Sequence, residues 1–150
     1  MASHVPELRN DCTAGMLQLI DDRTPIRALV VDDSPDVLEV ICALLEMEGK
    51  VEIVGRATNG CEALEAAACL RPDLILMDMQ MPRMDGLKAA ALIRVAFPEI
   101  AIVLMSADPA FSDRSDVLAS GAEAFIDKLE FSRVFPRVLA QLATASQVRM

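Results

Sequence analysis

The chain contains no Trp and no Tyr, and its five Phe residues bring the aromatic content to only 3%. A core built on stacked rings is excluded, so the interior has to come from Leu, Ile, Val, Met and Ala. Histidine occurs once, at His4, and Cys12, Cys42, Cys61 and Cys69 include no C-x-x-C pair. No zinc ligand set can be drawn from these, and the cysteines read as reduced small hydrophobes. A single His near the terminus also argues against a phosphohistidine carrier. Positive charge is scarce: 14 Lys and Arg stand against 23 Asp and Glu, for a formal net charge of -9, and no basic cluster offsets it locally. Direct contact with nucleic acid or an anionic membrane is disfavoured. No apolar run approaches the ~20 residues that cross a bilayer. The start Met1-Ala2-Ser3-His4-Val5-Pro6-Glu7 lacks the basic and apolar regions of a signal peptide, which sets a cytoplasmic expectation.

What is present is apolar and periodic. Hydrophobic residues make up 53% of 150, and mean hydropathy is +0.36, enough for one folded domain and too little chain for two ordinary ones. Residues 1–25 have no sustained period apart from a short helical pattern at Ala14 to Ile20, and read as an N-terminal extension. From Ile26, β-rich runs alternate with helical ones: Ile26 to Val31 then Pro35 to Glu48, Val51 to Ala57 then Cys61 to Leu70, Asp73 to Met77 then Gly86 to Phe97. The series continues with Ile100 to Met105, a weakly apolar helix near Ser112 to Ser120, Glu123 to Ile126, and a last helix ending near Thr144. Five β-α units imply a parallel sheet wrapped on both faces by helices, with 26–145 as the domain and 146–150 as a tail. Ser34 and Pro35 suit the start of the first helix and Gly49 its end. Pro136, inside the last apolar stripe, predicts that this helix starts late, near Phe135, or bends.

Asp32, Asp33, Asp78, Ser106 and Lys128 each fall at or just past the carboxyl end of an expected strand. Ligands of open parallel sheets bind at that edge. In the strand order 2-1-3-4-5 the first and third strands are neighbours, so Asp32, Asp33 and Asp78 crowd together. Three such carboxylates repel unless a cation joins them, and an all-oxygen set selects a hard ion, best fitted by Mg²⁺. Blander readings exist. Asp21-Asp22 mimics the acidic pair, but another strand follows it and no capped helix. Asp32-Asp33 as a polar turn would need only one acid, whereas Ser106 as a loop hydroxyl and Lys128 as a solvated lysine are ordinary alternatives. Asp73 and Asp85 read as turn and cap residues, and Met77, Met79, Met81 and Met84 as packing.

The runs Val30-Val31-Asp32-Asp33-Ser34-Pro35, Leu76-Met77-Asp78-Met79, Met81-Pro82, Asp85-Gly86, Leu104-Met105-Ser106-Ala107 and Phe125-Ile126-Asp127-Lys128, in this order, resemble the receiver domain of two-component response regulators. The resemblance covers about Ile26 to Thr144 and implies a flavodoxin-like, doubly wound α/β fold with strand order 2-1-3-4-5. It further implies that Asp78 accepts a phosphoryl group from a sensor histidine kinase or phosphotransfer protein. Asp33 and Asp78 would bind Mg²⁺ directly, Asp32 through water, and Gln80 through its main-chain carbonyl. Lys128 and Ser106 would meet the phosphoryl oxygens, and Phe125 would move inward with Ser106, changing the face of the fourth helix, fifth strand and fifth helix. Leu129 stands where many receivers have Pro after the lysine, as in a subset found in transcriptional regulators. Gln80 and Asp108 hold positions that tune phosphoryl lifetime.

The expectation is a stand-alone receiver in a phosphorelay. It is a switch and not an enzyme, catalysing only its own phosphorylation and dephosphorylation. Its output would be a downstream protein target, with homodimerisation left open. Two alternatives are a pseudo-receiver that serves as an interaction module, and a Mg²⁺-dependent aspartyl-phosphate hydrolase. The intact acidic and basic set speaks against the first. Gln80, where such hydrolases want an acid, speaks against the second.

Overall fold

A computed structural model describes residues 25–108, 117 and 119–149. The strands are β1 (Ile26–Val31), β2 (Val51–Ala57), β3 (Leu74–Asp78), β4 (Ala101–Ser106) and β5 (Ala124–Asp127). The helices are α1 (Pro35–Glu48), α2 (Gly60–Leu70), α3 (Gly86–Ala96) and α4 (Phe131–Arg149), the last entered through a 3₁₀ turn at Lys128–Glu130. The sheet is five-stranded, in the order β2-β1-β3-β4-β5, with every neighbouring pair parallel.

Side chains of a strand alternate between faces, and here the alternation splits the interior in two. Ala28, Val30, Leu74, Leu76, Val103 and Met105 pack with Leu38, Ile41 and Leu45 of α1 and Phe131 and Phe135 of α4. Leu29, Val31, Ile75, Met77, Ile102 and Leu104 pack on the other side with Ala63 and Ala67 of α2 and Ala89, Ala90 and Ile93 of α3. Central strands covered on both faces must be apolar at every position, which is why β3 and β4 are buried throughout and carry no alternation.

The helix starts have local causes. Ser34 Oγ accepts the Val37 N–H, Asn59 Oδ1 that of Glu62, and Asp85 Oδ1 that of Lys88, each satisfying a donor that its helix leaves open. Ser34→Ala should cost about 1 kcal/mol and lower the urea midpoint accordingly, since it removes the acceptor of the Val37 N–H; an unchanged midpoint would show the cap to be idle. Gly49 ends α1 at φ +76. Asp73 is a turn residue, as its spacing suggests, with its carboxylate accepting the Arg27 N–H at 3.0 Å.

The structure revises the last helix. It starts at Phe131 and not near Phe135, it runs to Arg149, beyond Thr144, and Pro136 lies inside it. Phe131 and Phe135 are both buried, with ring centroids 5.0 Å apart. The burial of two rings in the first two turns offsets the backbone bond that Pro136 cannot make, an effect of ~3 kcal/mol when uncompensated. Smaller shifts occur at strand ends: β3 includes Asp78, β4 includes Ser106 and β5 includes Asp127. The extension and most of the helix expected over 112–120 lie outside the described residues.

Candidate functional site

The acidic residues meet where β1 and β3 end. The two strands pair in register through Val31 and Met77, so Asp32 and Asp78 both follow directly on adjacent strands. One carboxylate oxygen from each of Asp32, Asp33 and Asp78 lies within 4.8 Å of the others. Asp32 and Asp78 are buried and Asp33 is exposed, so the group opens to solvent on the Asp33 side. Lys128, just past β5, brings its Nζ to 2.5 Å from Asp32 Oδ2 and 3.3 Å from Asp78 Oδ1.

Backbone donors orient the carboxylates. The Ser34 N–H donates to Asp32 Oδ1 at 3.0 Å, and the Gln80 N–H to Asp78 Oδ1 at 3.3 Å. Asp32 Oδ2 is, among the described residues, the one buried side-chain oxygen or nitrogen without a hydrogen bond. Its near neighbour is the Lys128 ammonium, an ion-pair contact at 2.5 Å. Three converging carboxylates with one lysine among them, and no His or Cys, fit a hard divalent cation.

Electrostatics agree. Burial raises the Asp78 carboxyl above the usual carboxylate range; Lys128 pulls it back, the Asp32 charge pushes it up further, and the Gln80 N–H lowers it again. The net rise means that desolvation and like charge outweigh the ammonium.

The other expected residues are close by in register. Asp78 pairs with Met105, and Ser106 follows as the last residue of β4. Its hydroxyl is engaged in its own loop, accepting the Asp108 N–H at 3.0 Å. Phe125, half-buried on β5, packs against the core on the α2/α3 side. Leu129 is 83% exposed, its N–H donating to Asp127 Oδ1 at 2.9 Å, and no cis peptide occurs among the described residues. The structure therefore joins Asp32, Asp33, Asp78 and Lys128 directly, with Ser106 at the end of β4, the strand next to β3, and Phe125 one strand further out on β5.

The loop from Asp78 to Gly86 is held more tightly than its Met/Pro composition suggests. The Gly86 N–H donates to the Met79 carbonyl at 2.9 Å, and a Cβ at Gly86 would stand 2.2 Å from the Asp78 carbonyl oxygen. Only glycine allows so close an approach. The sequence signal for this was the Asp85-Gly86 pair, whose glycine serves a steric need that a cap-and-turn reading does not include.

A doubly wound sheet with an acidic cluster and a lysine at its carboxyl edge defines a phosphoacceptor signalling domain. Residues 28–135 match the model of the response regulator receiver domain, and the chain belongs to that family. The response regulator domain of Thermotoga maritima CheB is similar at 33% identity and a TM-score of 0.70, over 82% of this chain and 97% of that one. A chain in the CheX–CheY–BeF₃⁻–Mg²⁺ complex of Borrelia burgdorferi is similar at 28% identity and a TM-score of 0.71, over 78% of this chain and 89% of that one. Among curated proteins, protein-glutamate methylesterase/protein-glutamine glutaminase 1 of Geobacter sulfurreducens is 34% identical over 125 residues, which are 82% of this chain and 32% of that protein. The corresponding protein of a Nocardioides species is 38% identical over 108 residues, 69% of this chain and 29% of its own length. The chain thus spans about a third of the curated relatives it matches. Among the described residues no helix is long and apolar enough to cross a membrane.

Proposed function

We propose that the protein is a phosphorylation-dependent switch in which Asp78 takes a phosphoryl group from a histidine kinase or phosphotransfer protein. The observation that carries this reading is the convergence of Lys128 on Asp32 and Asp78, 2.5 and 3.3 Å away, inside a cluster of three carboxylates. Asp33 and Asp78 would hold Mg²⁺ directly, Asp32 through water and Gln80 by its carbonyl. When bound, the ion neutralises charge on the transferred phosphoryl oxygens.

The protein's own groups do the rest. A carboxylate oxygen of Asp78 forms the new O–P bond as the N–P bond of the donor imidazole breaks, and the electron pair leaves on the imidazole nitrogen. No base is needed, because Asp78 attacks in its ionised form. Lys128 balances negative charge at the acceptor, and Asp32 holds the ammonium in place. The Ser106 hydroxyl exchanges its bond to the Asp108 N–H for one to the phosphoryl group, drawing the end of β4 inward with Phe125 following. The surface altered is that of the segment before β5, β5 and α4, where a downstream protein would read the state.

Incubation with Mg²⁺ and acetyl phosphate, read by intact-mass spectrometry, tests the reading. One acid-labile phosphoryl group per chain is expected, lost in Asp78→Asn. No labelling of the wild type would mark an interaction module, and turnover of many phosphate esters would mark a hydrolase.

A further inference from the structure

Gly60 opens α2, on an element that contributes no carboxylate to the acidic cluster, yet it is buried. A Cβ placed on it would lie 2.6 Å from the Met84 carbonyl oxygen, 2.8 Å from Met84 Cβ and 3.0 Å from Met84 Cγ. All three nearest atoms belong to one residue of the loop that follows Asp78. The start of α2 therefore abuts that loop's backbone with no side chain between them.

The loop has little room to yield there. The Met84 N–H donates to the Pro82 carbonyl at 2.8 Å, closing a three-residue turn that holds Arg83 at φ +71. A non-glycine residue in that left-handed conformation is already strained. On its far side the loop is pinned by Gly86 against the Asp78 carbonyl. On its near side the Gln80 N–H donates to the Asp78 carboxylate at 3.3 Å. A push at Met84 has to be taken up between these pins, in the stretch that carries Gln80.

We propose that Gly60 is a positioning residue for cation binding: by letting α2 touch Met84 directly, it sets where the Gln80 carbonyl stands relative to Asp33 and Asp78. This rests on the reading of the acidic cluster as a Mg²⁺ site. A methyl group at residue 60 would displace the loop and spoil the ligand arrangement while the fold, the acceptor and the lysine stay in place.

The test is a Mg²⁺ titration of the full chain followed by ¹H–¹⁵N NMR, with acetyl phosphate labelling at saturating Mg²⁺ alongside. For Gly60→Ala the Mg²⁺ midpoint should rise roughly ten-fold, as for other residues that hold metal ligands in place, while labelling at saturation is largely retained. Asn59→Ala serves as the control, because it removes the cap of the same helix without entering the Met84 contact. It should melt earlier and bind Mg²⁺ as the wild type does. Wild-type affinity in Gly60→Ala, or equal weakening in Asn59→Ala, overturns the inference. If Gly60→Ala does not fold, Met84→Gly probes the contact from the loop side, and an unchanged midpoint there overturns it equally. A wild type that shows no Mg²⁺-dependent shifts around Asp33 removes the cation reading itself, and this inference with it. That failure shows in the wild-type titration alone.

Discussion

Lys128→Ala should be the most damaging single substitution at the site when divalent cations are chelated, lowering the unfolding free energy by about 3 kcal/mol. The side chains of Asp32 and Lys128 are only 1% and 13% exposed, so the pair is largely shielded from bulk water. Removing the ammonium leaves two buried carboxylates facing each other, with Asp33 close behind. The Asp78 carboxyl, already raised, would rise further, so the loss should be larger at pH 8 than at pH 5. Added Mg²⁺ should return part of the stability, because it supplies the missing positive charge. Urea denaturation with EDTA and with Mg²⁺ measures both effects. A variant as stable as the wild type in EDTA would mean that the ion pair contributes nothing. Phosphorylation should also slow by about a hundred-fold, the usual consequence of losing one preorganised charge at a reacting group.

Asp78→Asn should act in the opposite direction on stability while abolishing phosphorylation. The folded protein raises the Asp78 carboxyl, so between the ordinary carboxyl value of ~3.9 and the raised folded one the native state binds more proton than the unfolded chain. Stability from this group is therefore present at low pH and lost as pH rises through the folded value. At neutral pH the charged Asp78 works against the fold. Asparagine removes the charge and keeps the shape, so in EDTA the variant should melt a few degrees higher at pH 7. The gap between variant and wild type should close towards pH 4. A wild type more stable than the variant at pH 7 without divalent ions would show that Lys128 outweighs burial and the Asp32 charge. In Mg²⁺ the ranking should narrow, since the cation offsets the repulsion that the substitution removes.

The parts of the fold legible in the chain were those set by local chemistry. Ser34-Pro35, Gly49 and the apolar runs of β1, β3 and β4 place their elements almost to the residue. The convergence of Asp32, Asp33, Asp78 and Lys128 could also be anticipated, because it follows from strand ends and strand order. What could not be read is what depends on partners distant in sequence. The helix continues through Pro136 because Phe131 and Phe135 find a core to fill, and no rule about proline contains that fact. Gly60 looks like an indifferent helix start until Met84 is seen against it. The Arg94 guanidinium, which reaches Glu123 and the Gly121 and Pro98 carbonyls, likewise ties α3 to the approach to β5 with no signature in spacing.

The sheet's division of the interior has its own consequence. Because the two halves of the hydrophobic interior form separate clusters on opposite faces of the sheet, a void opened beneath α1 by trimming Leu45 and one opened beneath α3 by trimming Ile93 should relax independently. Their penalties should simply sum. Lineages or designers can therefore rewrite one compartment while leaving the other untouched, an evolvability that a single continuous core does not offer.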